Sequence, residues 1–309
     1  MKRHTANMKS DLFLDMVLKL AVIVSALFLV APFATAKELT WTGCDISMTA
    51  FMEEIAKAYE KKTGLKIKLS GGGATKGIRA VSARSSDMGG TCRHRLVDAK
   101  GAIHEEERDA ELVHVAWDAL VVITHRDNPV NNISLADLKR VYDGKITSWK
   151  DLGAEDKRIV LVTLGGQGKY SGVEHMFRWL VYNDPEYDFK ALSHIVKSSG
   201  SLRAKFEKTP WSLGLDGVSA AIKRKVKILS LDGISPSKEN IASGKYPLFR
   251  PLYIAVNKNT KNPEVKKFID FILSPEGQAI ISEQGTVNLT EGKALAPLWD
   301  EKKARFGLK

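Results

Sequence analysis

An α/β fold follows from three features of the chain. Short apolar stretches of strand character alternate with amphipathic stretches at helical spacing from residue 37 onward. Glycine-rich loops fall three times at strand-to-helix junctions, where open α/β sheets place their turns. The composition, 44% hydrophobic and 27% charged, is that of a globular chain, and it excludes a disordered chain, a collagen-like repeat and a polytopic membrane protein. The 309 residues leave room for two modest domains, at about 100–200 residues each.

Residues 1–36 read as a signal peptide. Lys2, Arg3, Lys9 and Lys19 form a basic leader, an uncharged run follows from Leu20 to Val30, and Ala34-Thr35-Ala36 supplies the small residues of a cleavage site. A membrane anchor is the alternative; the run is short of the ~20 residues a span needs. Met8 is a second candidate start. Cleavage after Ala36 leaves 273 residues, and because the leader holds four basic and two acidic residues the formal charge falls from +11 to +9. Export places the chain in an oxidising compartment, where Cys44 and Cys92 can pair.

The elements run in order. Leu39-Thr42 reads as a strand and Ser47 to Lys62 as a helix with Phe51, Ile55 and Tyr59 on one face. Gly64 stops it, Leu65-Leu69 is a strand, Gly71-Gly72-Gly73 a turn, and Ile78 to Ala83 a helix. A strand starts at Asp87-Met88-Gly89. Further strands are expected at Glu111-Ala116, Leu120-Thr124, Ile159-Leu164, Val226-Leu231 and Leu252-Val256. Further helices are expected at Leu135-Tyr142, Gly172-Val181, Pro263-Leu273 and Pro275-Gln284. No internal repeat or low-complexity stretch interrupts them.

The three glycine loops are Thr42-Ser47, Gly71-Gly77 and Gly165-Gly172. Each presents backbone N–H groups and a positive helix end, which suits an anion. A basic chain is also compatible with nucleic acid or an anionic membrane, but its positive charges are dispersed and no aromatic-interleaved stripe is present. Known catalytic and nucleotide motifs fail. Lys76 is followed by Gly77, not by Ser or Thr, so the second loop is no Walker loop. Gly166-Gln167-Gly168 with Gly172 spaces a dinucleotide fingerprint one residue late. His104-Glu105-Glu106-Glu107-Arg108 lacks the second histidine of a zinc-protease helix. No nucleophile–base pair is visible, so no catalytic residue is assigned. Two cysteines cannot make a four-thiolate zinc site.

Ordered stretches then resemble one family, the periplasmic phosphate-binding proteins of ABC transporters. They are Gly72-Gly73-Ala74-Thr75-Lys76-Gly77-Ile78, Ser86-Asp87-Met88-Gly89-Gly90-Thr91-Cys92-Arg93, Val115-Ala116-Trp117-Asp118-Ala119, Tyr142-Asp143-Gly144-Lys145-Ile146-Thr147-Ser148-Trp149, Tyr246-Pro247-Leu248-Phe249-Arg250-Pro251-Leu252-Tyr253 and Ser274-Pro275-Glu276-Gly277. The resemblance covers nearly the whole mature chain. It implies a two-domain type II periplasmic-binding-protein fold, each lobe a mixed sheet flanked by helices, with the ligand cleft between the lobes. Residues 37–118 and 254–309 would form lobe 1, residues 119–253 lobe 2, with crossings near Asp118 and Tyr253.

The implied function is an exported substrate-binding protein, not an enzyme. It would capture a small oxyanion, phosphate first, and deliver it to an ABC permease. The expected protein is a periplasmic monomer without cofactor or metal and without a nucleic-acid partner. The implied ligand positions are Cys44, Asp45, Ala74, Thr75, Cys92, Lys169, Ser171, Gly172 and Val173. Several depart from the family pattern. Ala74 replaces a serine, Cys92 stands at a hydroxyl or carboxylate position, and Val173 replaces a threonine. The family's arginine falls near Gln167, so Lys169 would supply that charge. Asp45 would repel a dianion unless a protonated ligand donates to it. Cys44 and Cys92 are expected to form a disulfide on the cleft floor; two buried thiols are the alternative, and a metal site with His94 a third. The rival functions are a sensory or regulatory binding module, and a redox or metal-handling protein using Cys44 and Cys92.

Overall fold

In the computed structural model the described residues are 38–98, 100–164, 171–196 and 199–305. The predicted leader therefore lies outside them. The chain opens with β1 (Glu38–Gly43) and α1 (Asp45–Ser47), which runs through a π-helical turn at Met48–Met52 into α2 (Glu53–Thr63). Next come β2 (Lys66–Gly71), α3 (Gly73–Ser82), β3 (Met88–Thr91), β4 (Ala110–His125), β5 (Asn132–Ile133) and α4 (Leu135–Tyr142). They are followed by β6 (Val160–Leu164), α5 (Gly172–Phe177), β7 (His194–Val196), α6 (Ser199–Lys208), β8 (Ser212–Gly217) and α7 (Val218–Ala221). The remainder is β9 (Val226–Ile228), β10 (Ser230–Leu231), α8 (Lys238–Ala242), β11 (Phe249–Asn257), α9 (Pro263–Leu273), α10 (Pro275–Glu283) and α11 (Leu295–Arg305).

Helix starts follow local chemistry. The Ser134 hydroxyl accepts from the Asp137 N–H at 2.9 Å and opens α4. Asn262 and Ser274 cap α9 and α10, each followed by proline at the first helical position. Gly64, at φ 73°, ends α2 in the left-handed conformation.

Among the described residues nine strands form one mixed sheet in the order β2-β1-β3-β11-β4-β8-β6-β7, with β9 also on β4, while β5 and β10 pair in a separate two-stranded parallel sheet. β1 is parallel to β2 and β3, while β11 runs antiparallel to β3 and β4. The carboxyl ends of β1, β2 and β3 therefore share one edge. β4 is the long member: Ala110–Ala119 pairs with β11, and Leu120–Thr124 pairs with β8. The sequence expectation of two strands there, interrupted near Asp118, is corrected to one. Asp118 breaks the apolar pattern, yet the strand continues because its carboxylate finds a buried guanidinium in β11.

The three-glycine turn is also shorter than expected. β2 runs through Gly71 and α3 begins at Gly73, leaving Gly72 alone at φ 139°. That conformation is open to glycine and strained for other residues. Among the described residues no helix is long and apolar enough to cross a membrane.

Candidate functional site

The parallel register of β1 and β3 puts Gly43 opposite Gly90, so the residues that follow each are neighbours. The Cys44 N–H donates to the Gly90 carbonyl at 2.9 Å. Cys44 and Cys92 are buried there with Sγ atoms 3.1 Å apart. Both are free thiols, against about 2.05 Å for a disulfide, so the pair is in place and the bond is not formed. The Cys44 S–H donates to Cys92, which pushes Cys44 well up and holds Cys92 below its ordinary thiol value; burial raises both, and the Arg250 guanidinium lowers both.

The other expected positions converge on these thiols. A Cβ on Gly172 would lie 2.4 Å from Cys92 Sγ and 3.0 Å from the Ala74 methyl, so the start of α5 rests directly on the β2 and β3 loops. Ser171 caps α5, its hydroxyl accepting from the Glu174 N–H at 3.1 Å. Val173 is buried behind it. Asp45 is half-buried in the first turn of α1, its carboxylate against Gly71. Thr75 Oγ1 accepts from Arg93 Nη2 at 2.8 Å, so the hydroxyl expected to face ligand is engaged on the protein side. Lys169 lies outside the described residues.

Sequence reading assigned no ligand role to the charges behind this surface. Arg250 and Asp118 are fully buried and paired, with Nε and Nη2 donating to Oδ2 at 3.2 and 2.9 Å. Asp118 Oδ1 also accepts from the Ser219 N–H and hydroxyl at 3.1 and 2.8 Å. Arg250 Nη1 reaches the Gly172 carbonyl at 3.3 Å. Burial opposes the Arg250 charge, but Cys92 and Asp118 outweigh it and raise the guanidinium further. Beside them Asp216 is paired with Arg224, and burial pushes its carboxyl up to about 6 despite that partner. A second buried pair, Arg93 with Glu107, stands at 2.6 and 3.0 Å behind the Cys92 loop. The available signal was one charge inside each apolar strand: Asp118 in Val115–Leu120 and Arg250 in Leu248–Leu252. A buried charge requires a partner, and these two have opposite signs.

The metal alternative through Cys44, Cys92 and His94 does not assemble. His94 faces His175 instead, Nε2 to Nε2 at 3.5 Å, with Trp179 packed on its ring at 4.6 Å between centroids. Burial, then Arg93, holds the His94 imidazole down at about 3; burial, then His94, pushes His175 down as well. Among the described residues no three His, Cys, Asp or Glu side chains are placed to share a metal.

The sequence and the helix-flanked mixed sheet are similar to those of known proteins. The phosphate-binding protein PstS of Borreliella burgdorferi is 28% identical over 254 residues, covering 80% of this chain and 88% of its own. PstS of Bacillus subtilis is 26% identical over 260 residues, 82% of each. A substrate-binding protein of Clostridium perfringens, solved with bound phosphate, superposes with a TM-score of 0.72 at 27% identity, over 82% of this chain and 99% of its own. An ABC-type phosphate transport receptor from Vibrio cholerae, at 24% identity and a TM-score of 0.61 over 81% of this chain and 99% of its own, shares the fold. The model of the PBP superfamily domain matches residues 34–276. With most of its length inside that match, the chain belongs to the PBP superfamily.

Proposed function

We propose that this chain is an exported substrate-binding protein that captures phosphate where the β1, β2 and β3 loops meet the start of α5, and that it passes the anion to an ABC permease. One observation carries the reading. Four backbone segments, at Cys44, Gly72–Ala74, Cys92 and Gly172, converge beside the buried Arg250 guanidinium. The names of the relatives support the same ligand and the same transport role.

The change of β4's partner after Ala119 supports the expected first crossing near Asp118, and the pairing of β11 with β4 from Phe249 onward supports a second crossing a few residues ahead of the expected Tyr253. Asp118 and Arg250 therefore stand at the seam, and Arg250 reaches across it to Gly172. Ligand binding favours closure because the anion touches both sides, and only such differential contact shifts an open–closed equilibrium. With Ala74 and Val173 in place of hydroxyl residues, the anion is held by backbone N–H groups at helix starts and by the field of Arg250. The protein acts as a periplasmic monomer after removal of residues 1–36, and it binds its ligand without chemical conversion.

Calorimetric titration of ligand-stripped protein tests the reading. Saturable heat with phosphate, weakening as salt rises, is the expected result. No heat with phosphate, sulfate, molybdate or tungstate overturns the anion assignment.

A further inference from the structure

We propose that Cys44 and Cys92 are a reversible dithiol–disulfide couple built into the anion pocket, oxidised by exchange with a disulfide-bearing partner, and that their redox state sets the affinity for phosphate. The last clause rests on the ligand reading above; the couple itself does not.

The backbone holds the two residues for this chemistry. They leave neighbouring parallel strands in register, and the Cys44 N–H to Gly90 bond pins one loop to the other. Their sulfurs, 3.1 Å apart, need to approach by only about 1 Å to bond. The surroundings are polar for a pair that merely fills space. The hydrogen bond from Cys44, then Arg250 and Arg93, favours a thiolate at Cys92, against burial and the Asp118 carboxylate.

Exchange proceeds in two balanced steps. The Cys92 thiolate attacks one sulfur of the oxidant, forming a mixed disulfide and releasing one thiolate. The Cys44 thiolate then attacks Cys92 Sγ, forming the internal bond and releasing the second. The two protons lost by the cysteines go to the two leaving thiolates, and two electrons pass to the oxidant. Cys92 is only 1% exposed, with Gly172 against its sulfur. Attack therefore requires α5 to withdraw, and a ligand that holds α5 down protects the thiols.

The two redox states present different surfaces to an anion. The dithiol can ionise, and a thiolate buried beneath the loops repels an anion held above them. The disulfide has no proton to lose. Oxidised protein is therefore the tighter binder, and the gap widens as pH rises.

The full mature chain, ligand-free, is incubated with oxidised glutathione and scored by mass and by alkylatable thiols. The expected product has lost two hydrogens, has no alkylatable thiol, and is reversed by dithiothreitol; added phosphate slows its formation. Titration with phosphate at about pH 8.5 is expected to show roughly tenfold weaker binding for the reduced form, with a smaller difference near pH 6. Cys44→Ser and Cys92→Ser are expected to abolish the redox dependence. Two alkylatable thiols persisting in the folded protein, or a mixed disulfide that does not resolve, overturns the couple. Equal affinities in both states overturn its control of binding. If neither form binds phosphate the ligand reading falls, and the thiol count still decides whether the couple exists.

Discussion

Glu174 shows how one residue serves two ends here. Its backbone N–H closes the Ser171 cap of α5, and its side-chain Oε1 accepts from the Leu164 N–H at 3.1 Å. The carboxyl is buried, and that burial pushes it up to about 7 against the lowering effects of Leu164 and Arg178. The unfolded chain ionises this group near its ordinary value of 4.5. The folded state keeps the proton longer, so the contribution to stability is full below about pH 4.5 and is lost as pH rises to about 7. Glu174→Gln removes that titration. Relative to the parent, the variant is expected to gain stability between about pH 5 and pH 8, by at most about 3 kcal/mol. Urea midpoints at the two pH values measure it, and a pH-independent difference would show a carboxyl ionised throughout.

At the scale of elements, α3 lies so close to the sheet that side chains are excluded from the contact. A Cβ on Gly77 would meet the Gly90 carbonyl oxygen at 2.6 Å and the Gly43 Cα and Thr42 oxygen at 2.9 Å, all backbone atoms. Backbone in a hydrogen-bonded sheet cannot step aside as a side chain can. Gly77→Ala is therefore expected to destabilise the fold by about 1–3 kcal/mol, read as a drop in melting temperature, and to shift the β1 and β3 ends that carry Cys44 and Cys92. An unchanged melting temperature would show that α3 can lift from the sheet at no cost.

For the whole molecule, the Asp118–Arg250 pair is the tie that matters. It links β4 to β11, and through Ser219 and Gly172 it reaches the starts of α7 and α5. Asp118→Asn keeps the shape but leaves Arg250 buried without its counter-ion, an expected loss of about 3–5 kcal/mol in denaturant unfolding. Replacing both partners, Asp118→Leu with Arg250→Met, is expected to cost less than the single change, because no orphaned charge remains. A double variant less stable than Asp118→Asn would contradict that account.

Some of this was legible along the chain. α4 and α9 lie at the expected residues, Leu135–Tyr142 and Pro263–Leu273, because their caps and apolar spacing are local. The glycine loops, and Cys44 with Cys92 as site neighbours, followed from strand–helix alternation and family resemblance. α6, β8 and α11 gave no such signal: α6 and α11 have weakly amphipathic faces, and β8 is buried on every residue, so no alternation marks it. By itself the sequence determined the α/β class and the family, and it marked the glycine loops at Cys44 and Gly72 that meet in the candidate site, since these rest on patterns within a few residues. Only the tertiary structure decided that β4 runs unbroken through Asp118, that Arg250 supplies the buried charge at the site, and that His94 turns to His175 and away from the thiols. Each depends on a partner far along the chain, 132 residues away for Asp118 and 81 for His94. Burial makes such a partner obligatory without naming it.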